Sequence, residues 1–526
     1  MGEVLDGSDV RRHFSTDASI YKIEPQVIVY PRNEQDVRKL ARFSWQLAER
    51  GRSVPITSRG AGSDLTGASI GEGIVVVFPA HMNRVISMDL KKGHVSVEPG
   101  ANIAKIQQTL NVQYKFLPAT PMSSEYATIG GAVANNSTGP YSEKYGPMKN
   151  SVSGLRVVLA NGEVIHTKRL NKRELSRKLG LANFEGDIYR AIDAIIMDNQ
   201  ELMLSGKGAN WAYDLSAVKQ QDGSFDLTPL FVGSQGTLGI VSEVELSSED
   251  FNPQPAAVLA YINGLDNLLG VVAKIKEQQP AAMEMIDQFT LRHITKVAPS
   301  ALKKTINKKS DFLLILEFDD TNSRTTNRKL KNTKAALDAI DAEYVVGQDD
   351  EMRERIWKVR NSIGLILTDG SSKGRPLPAV ESASVPLESY SKLYMGAVDL
   401  FKKHHIPFMS WGRVGLGQLS TMPKIDLSET SGRQKVLRLM DDYHKMVLKL
   451  GGHTSSAHNS GRLRGQYQPF EVGKEAYDIM LAVKQVFDPH NVLNPGVKVN
   501  VGRKELVGYM RTSYTLGHHY THLPRI

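Results

Sequence analysis

Three short glycine-rich segments constrain this chain more than any other feature. They are Ser58-Arg59-Gly60-Ala61-Gly62-Ser63-Asp64-Leu65-Thr66-Gly67, Thr128-Ile129-Gly130-Gly131-Ala132-Val133-Ala134-Asn135-Asn136-Ser137-Thr138-Gly139 and Phe231-Val232-Gly233-Ser234-Gln235-Gly236-Thr237-Leu238-Gly239-Ile240-Val241. Closely spaced glycines after a strand let successive backbone N–H groups turn toward one point, a nest that suits phosphate oxygens. The first segment is neither common nucleotide loop. Leu65 stands where a G-x-G-x-x-G fingerprint needs its last glycine, and no G-K-[ST] follows as in a P-loop. Alone it reads equally as a phosphate nest or a structural turn. Three such loops together point to a ligand approached closely by backbone.

The surrounding pattern is an α/β one. Val27–Tyr30 is a β-branched run closed by Pro31, and Asn33 can cap a helix over residues 34–50, with Glu34 and Asp36 in its first turn and Gly51 beyond its end. Val54–Thr57 and Ile74–Phe78 read as buried strands on either side of the first glycine loop. From His94 to about Ser248 the pattern shifts toward sheet, with His94–Glu98 alternating and Leu155–Ala160, Asn161-Gly162 and Glu163–Thr167 forming a hairpin signal. Pro253 and Pro255 mark a boundary. Strands at Ala257–Ile262 and Phe312–Phe318 and an amphipathic helix over 430–450, closed by Gly451-Gly452, then describe a separate α+β unit.

Composition narrows the chemistry. The 526 residues suggest about three structural units. Lys and Arg outnumber Asp and Glu by 65 to 56, which favours an anionic partner. The positive charge is spread along the chain without a recognition motif, which argues against nucleic acid. There is no cysteine, so disulfides, thiolate catalysis, Cys-ligated zinc and iron–sulfur clusters on this chain are excluded. The N-terminus has no basic region followed by an apolar run, and no uncharged 18-residue apolar stretch occurs. The expected placement is cytoplasmic, compatible with peripheral membrane contact.

Read in order, the motifs carry a resemblance. Arg59 through Gly67, Ala127 through Gly131 with Asn136 and Gly139, Lys144-Tyr145-Gly146, Gly233 through Gly239, and Phe487-Asp488-Pro489-His490-Asn491-Val492-Leu493-Asn494-Pro495-Gly496 are similar to the vanillyl-alcohol oxidase/p-cresol methylhydroxylase flavoprotein superfamily. Within it the chain most resembles the D-2-hydroxyacid dehydrogenases, such as D-lactate and glycolate oxidases, over residues 24–498. The resemblance implies an α+β architecture: a two-subdomain FAD-binding fold of the p-cresol methylhydroxylase type (1–250), an inserted α+β cap for the substrate (251–455), and a C-terminal segment returning to the flavin (456–500). A basic tail follows (501–526).

By the same resemblance, backbone at Arg59, Gly60, Ala61, Gly62, Ser63, Thr128, Gly130 and Gly131 holds the FAD pyrophosphate. Pro99, Gly100, Ile240 and Val241 lie near the adenine and dinucleotide, and Asn494 lies near the isoalloxazine. Pro121, Ser124, Asn136, Gly139, Tyr145, Gly146, Gly236 and Gly239 complete the expected contacts. Covalent members carry a His in the first glycine loop. Here the matching position is Ser63, so FAD is expected to be tight but non-covalent.

On the substrate side the family pattern breaks. The His-Val-Gly-Asp-Gly-Asn-Leu-His motif reads Arg413-Val414-Gly415-Leu416-Gly417-Gln418-Leu419-Ser420, and Glu-His-Gly reads Ala457-His458-Asn459. The three metal ligands that the resemblance implies are replaced together by Arg413, Ser420 and Ala457, so no metal is expected. His458 keeps the family's catalytic position, and an imidazole suits removal of a hydroxyl proton near neutrality. Alone it reads as well as a polar-loop histidine. Arg360 matches a Trp-x-x-Arg element whose arginine grips a substrate carboxylate, against the alternative of a solvated arginine on the helix 351–360. Arg413 offers a fixed cation that holds an anion or fills the vacated space. Glu284 and Asp287 read as structural, and His518, His519 and His522 as a solvated or docking tail.

The expected activity is hydride transfer from an alcohol carbon of an anionic hydroxyacid or polyol-derived substrate to FAD, with oxygen, a quinone or a partner protein as external acceptor. A non-redox enzyme resembling alkylglycerone-phosphate synthase and a catalytically silent flavin-binding sensor stay open as alternatives. Oligomeric state is not legible.

Overall fold

A computed structural model describes residues 2–89, 91–204, 212–297, 309–347, 349–368 and 374–513. The histidine-containing end of the tail lies outside them. Among the described residues the chain forms an α+β molecule built on three larger sheets and one two-stranded ribbon, Lys115–Phe116 with Glu249–Asp250.

The first sheet runs Glu3–Leu5, Val27–Tyr30, Ile74–Val77, Ile56–Arg59, with the last three parallel. Every residue of Ile74–Val77 is buried, as a β-branched parallel strand covered on both faces requires. Helix Glu34–Glu49 covers one face through Val37 and Ala41, and the Asn33 side chain accepts from Asp36 N at its start. The strand expected over 54–57 begins at Ile56 instead, beyond Pro55, which has no N–H to give a ladder.

The second sheet is antiparallel: Val85–Asp89, His94–Val97, Ile240–Ser247, Val152–Val158, Val164–Thr167. Ile240–Ser247 alternates buried and half-buried, so one face meets the helices and the other is partly open. Its core is shared with helices Ile103–Asn111, Phe184–Asp198 and Lys474–Phe487.

Beyond Pro255 the chain builds a third, antiparallel sheet in the order Glu343–Gly347, Ala256–Ile262, Phe312–Phe318, Ala282–Asp287, Phe408–Gly412, Gln418–Ile425, Arg375–Pro376. Both faces are covered, and the side chains of one strand alternate between two cores. Val258, Ala260 and Ile262 pack against helices Leu265–Lys276, Tyr390–Lys403 and Thr430–Lys449, while Ala257, Leu259 and Tyr261 face Ile356 and Val359 of helix Asp350–Asn361. This explains uninterrupted apolar runs in antiparallel strands, where one-sided burial would have produced alternation.

The C-terminal segment then returns to the first sheet. Ile56 N donates to Val492 O (2.7 Å) and Asn494 N to Ile56 O (2.9 Å), so residues 492–494 extend that sheet beside the strand that enters the first glycine loop.

Candidate functional site

The three glycine loops converge on one cleft. Arg59, Gly60, Ala61, Gly62, Ser63, Pro99, Pro121, Thr128, Gly130, Gly131, Gly236, Gly239 and Val241 line it, as does His458. Close approach of backbones explains two of the glycines. A Cβ on Gly60 would collide with Thr128 Oγ1, and one on Gly130 would lie 2.6 Å from Pro99 Cβ. Gly62 adopts φ +74°, turning the loop between Ala61 and Ser63.

Buried polar side chains hold these loops in register. The Asp64 carboxylate accepts from Thr66 N (3.0 Å), Ala68 N (2.8 Å) and Asn135 Nδ2 (3.3 Å). Gln235, at φ +52°, donates from Nε2 to Asn135 Oδ1 (2.9 Å) and Thr66 Oγ1 (3.2 Å) and accepts Gly461 N on Oε1 (2.8 Å). One side chain thus ties all three loops to the C-terminal segment. Arg59 is buried with its guanidinium over the Phe14 ring (5.3 Å) and Nη1 3.3 Å from Ser69 O. Burial, followed by the neighbouring Asp64 charge, pushes the nearby Asp17 carboxyl up to about 6.

Several residues expected at the cofactor stand behind the wall instead. Asn494 is saturated internally: Nδ2 donates to Ala68 O and Gln235 O (2.8 Å each) and Oδ1 accepts Thr57 Oγ1 (3.0 Å). It is a latch between the C-terminal segment and the loops. Gly100 packs on the carbonyls of Met82 and Phe78, Ile240 is core, and Ser124 lies outside the cleft lining. Asn136 ends its helix in the left-handed region and accepts Lys149 N. Gly139 is pressed against the Thr120 backbone, Gly146 is a turn glycine, and Tyr145 Oη donates to Asp319 (2.5 Å).

The cleft fits FAD by its own chemistry. Ser58 Oγ, in its wall, is buried without a hydrogen-bond partner. The amides of Ala61, Gly62 and Ser63 donate to no acceptor among the described residues. A ligand rich in acceptors satisfies both.

On the cap side the two arginines part company. Arg360 is buried and bidentate to Glu284, with Nε–Oε2 2.5 Å and Nη2–Oε1 3.0 Å. It was expected to grip a substrate carboxylate or sit in solvent. The structure gives it an internal carboxylate, because helix Asp350–Asn361 packs that face on the strand Ala282–Asp287. Asp287 is structural, accepting Ser410 Oγ (2.6 Å) and Thr290 N (2.8 Å). Arg413 is equally buried but, among the described residues, no carboxylate lies within 4 Å. Its contacts are long: Nε to Gln418 Oε1 and Nη1 to Gly139 O, both 3.4 Å.

From Arg413 a hydrogen-bonded chain runs to Glu381, which faces His458. Gln418 Nε2 donates to Ser420 Oγ (2.8 Å), Ser420 Oγ to Glu381 Oε1 (3.0 Å), and the same Oε1 lies 3.6 Å from His458 Nε2. His458 is 29% exposed and opens on the cleft; Glu381 is 2% exposed. Glu381 and Gln235 were not singled out in the sequence. Gln235 carried one signal, a long polar side chain in a loop of small residues, and Glu381 carried none.

Residues 25–168 match the family model for an FAD binding domain, and residues 253–497 that for the C-terminal domain of FAD linked oxidases. The chain is 29% identical to D-2-hydroxyglutarate dehydrogenase of Escherichia coli over 92% of its own length and 49% of that protein's. It is 27% identical to glycolate oxidase subunit GlcD of Bacillus subtilis over 93% of each. It therefore spans about half the length of the D-2-hydroxyglutarate dehydrogenases it matches. A crystal structure of p-cresol methylhydroxylase with substrate bound superposes with a TM-score of 0.67 at 13% identity, covering 94% of this chain and 93% of that one.

Proposed function

Because this chain belongs to the FAD-linked oxidases of the vanillyl-alcohol oxidase/p-cresol methylhydroxylase type, we propose that it oxidises the carbinol carbon of an anionic 2-hydroxyacid to the 2-oxo acid. The observation that carries the reading is an imidazole, His458, in the wall of the flavin cleft, linked through Glu381, Ser420 and Gln418 to a buried guanidinium, Arg413, that has no carboxylate within 4 Å among the described residues. Such a cation is costly to leave unpaired, and a substrate carboxylate supplies the missing charge.

Backbone at Gly60–Ser63 would hold the FAD pyrophosphate without a covalent link, since Ser63 offers no imidazole, while Gly130 and Gly131, whose amides donate to Pro99 O and Thr128 Oγ1, serve by letting backbone come close. Bound there, FAD supplies a two-electron acceptor for the hydride leaving the substrate carbon. His458 takes the hydroxyl proton and Arg413 holds the carboxylate. Arg360, committed to Glu284, shapes the pocket without contacting the anion. The chain has no cysteine and so no cluster to carry electrons onward; oxygen, a quinone or a partner protein receives them, and a peripheral membrane contact accords with a quinone. Among the described residues no helix is long and apolar enough to cross a membrane.

The test is an anaerobic screen of D- and L-2-hydroxyacids, sugars and polyols against the yellow holoprotein. The reading expects the flavin band to bleach with a hydroxyacid, and its slowing by at least 100-fold in His458→Ala. Bleaching by uncharged polyols alone, or none at all, overturns it.

A further inference from the structure

We infer that Glu381 is a positioning residue for His458: a buried carboxylate from the cap that fixes the imidazole's tautomer, so that Nε2 carries the proton and Nδ1 faces the substrate hydroxyl. The inference rests on the reading of His458 as the base.

The geometry is a clamp between two distant segments. Arg464, almost wholly buried, donates from Nη1 to the backbone carbonyls of His458 (2.7 Å) and Asn459 (2.9 Å), and from Nη2 to Glu381 O and Oε2, the latter at 3.0 Å. One guanidinium therefore sets both the backbone that carries the imidazole and the carboxylate that faces it. A second link lies beside it, where Ala457 N donates to Ser382 Oγ at 2.9 Å. Ser382 is buried at φ +63°, a conformation costly for a residue with a side chain, which persists only where the surroundings over-determine it.

Within this clamp the carboxylate's two oxygens have different duties. Oε2 is taken by Arg464. Oε1 accepts Ser420 Oγ at 3.0 Å and faces His458 Nε2 at 3.6 Å, an ion-pair distance that a small ring movement closes to a hydrogen bond. An ionised carboxylate is acceptor-only, so the ring nitrogen facing it must be the one that bears hydrogen. The other nitrogen is left unprotonated in the neutral ring, which is the form a base needs. A carboxylate held this way also stabilises the imidazolium once the proton has been taken.

Replacing Glu381 with Gln gives a reversal rather than a loss. Arg464 continues to claim the amide oxygen, so the amide NH₂ turns toward the imidazole. Nε2 must then accept and Nδ1 carries the hydrogen, the wrong nitrogen for the substrate. The test is long-range ¹H–¹⁵N correlation on ¹⁵N-histidine-labelled holoprotein, with His458 assigned by the cross-peaks lost in His458→Gln. The expected result is an Nε2–H ring in the wild type and an Nδ1–H ring in Glu381→Gln, with the anaerobic bleaching rate lowered roughly 10–100-fold at little change in KM. An Nδ1–H ring in the wild type overturns the inference, as does a Glu381→Gln protein with unaltered tautomer and rate. If the variant does not retain FAD, the wild-type tautomer alone decides. If no hydroxyacid bleaches the wild type, the functional reading falls, while the spectrum still decides whether the Glu381–His458 pairing exists.

Discussion

The cofactor cleft and the substrate side of this molecule are built from different material. The cleft is made of backbone: glycines let strand ends and a helix start approach one another, and side chains such as Asp64 and Gln235 only hold the loops in place. The substrate side is made of buried charge, with Arg360, Arg413, Glu284, Glu381 and Arg464 all inside the cap or at its seam. Backbone nests bind any ligand of the right shape and charge, whereas buried ionic groups select. The contrast sharpens within the substrate side itself, where Arg360 is bidentate to Glu284 and Arg413, among the described residues, has no carboxylate within 4 Å.

Two substitutions turn that difference into opposite outcomes. Removing one member of a buried pair leaves the other charge uncompensated, so Glu284→Ala is expected to lower stability by about 3–5 kcal/mol, read in chemical denaturation. The double variant Glu284→Leu/Arg360→Met should recover most of it. If Glu284→Ala unfolds no more easily than the wild type, the pair is not the structural element described here. Arg413→Met removes a buried cation that, among the described residues, has no carboxylate within 4 Å and only the more distant charges of Glu284, Glu381 and Glu143, so stability should change far less than in Glu284→Ala. The kcat/KM for a hydroxyacid should nevertheless fall about 10–100-fold, the worth of about 1.5–3 kcal/mol for a hydrogen bond to a charged group. A stability loss without a kinetic one would reverse the roles assigned to the two arginines.

The same contrast explains what could be read from the sequence. The loops Gly60–Ser63, Gly130–Gly131 and Gly233–Gly239 advertise themselves, because a backbone function leaves its mark in consecutive small residues. The strands Val27–Tyr30, Ile74–Val77 and Phe312–Phe318 were legible from apolar runs. For Asn494, expected near the isoalloxazine, motif position does not say that Ala68 O and Gln235 O take its amide. The Arg360–Glu284 pair could not be read for the same reason, since the two residues are 76 apart and meet only where helix Asp350–Asn361 lies over the third sheet. Glu381 was illegible, being one carboxylate among many until Arg464 and His458 are folded against it.

The seam between the two regions is expected to titrate. Glu143, on the short helix Ser142–Tyr145, faces the cap loop that carries Arg413, and one of its carboxylate oxygens is buried without a partner. Burial pushes this carboxyl up to about 7, with the Lys276 and Arg413 charges opposing. A carboxyl whose folded value exceeds its unfolded one holds more protons in the native state between the two. Stability is therefore greatest below about pH 4.5 for this group and declines as pH rises toward 7. Glu143→Gln should remove that decline, giving a variant more stable than wild type by about 3 kcal/mol at pH 8 and indistinguishable at pH 4. Thermal unfolding across that range checks it, and parallel curves for the two proteins would show the carboxyl to be solvated.

The smallest effect should come from the cleft wall, and its smallness is the point. Thr128 Oγ1 accepts Gly131 N (3.1 Å) and caps the helix Ile129–Asn135. Thr128→Ala loses this cap and should lower stability by about 1 kcal/mol, whereas Thr128→Ser should restore it. The alanine variant also frees the Gly131 amide to turn into the cleft, so what the wall loses in rigidity it regains as a donor. FAD affinity, measured by flavin release on dilution, should then change only a few-fold. A Thr128→Ala protein that folds but holds no FAD would mean that the hydroxyl touches the cofactor directly. The cleft would then share the side-chain logic of the substrate side, and the division between a backbone-built and a charge-built half would not hold.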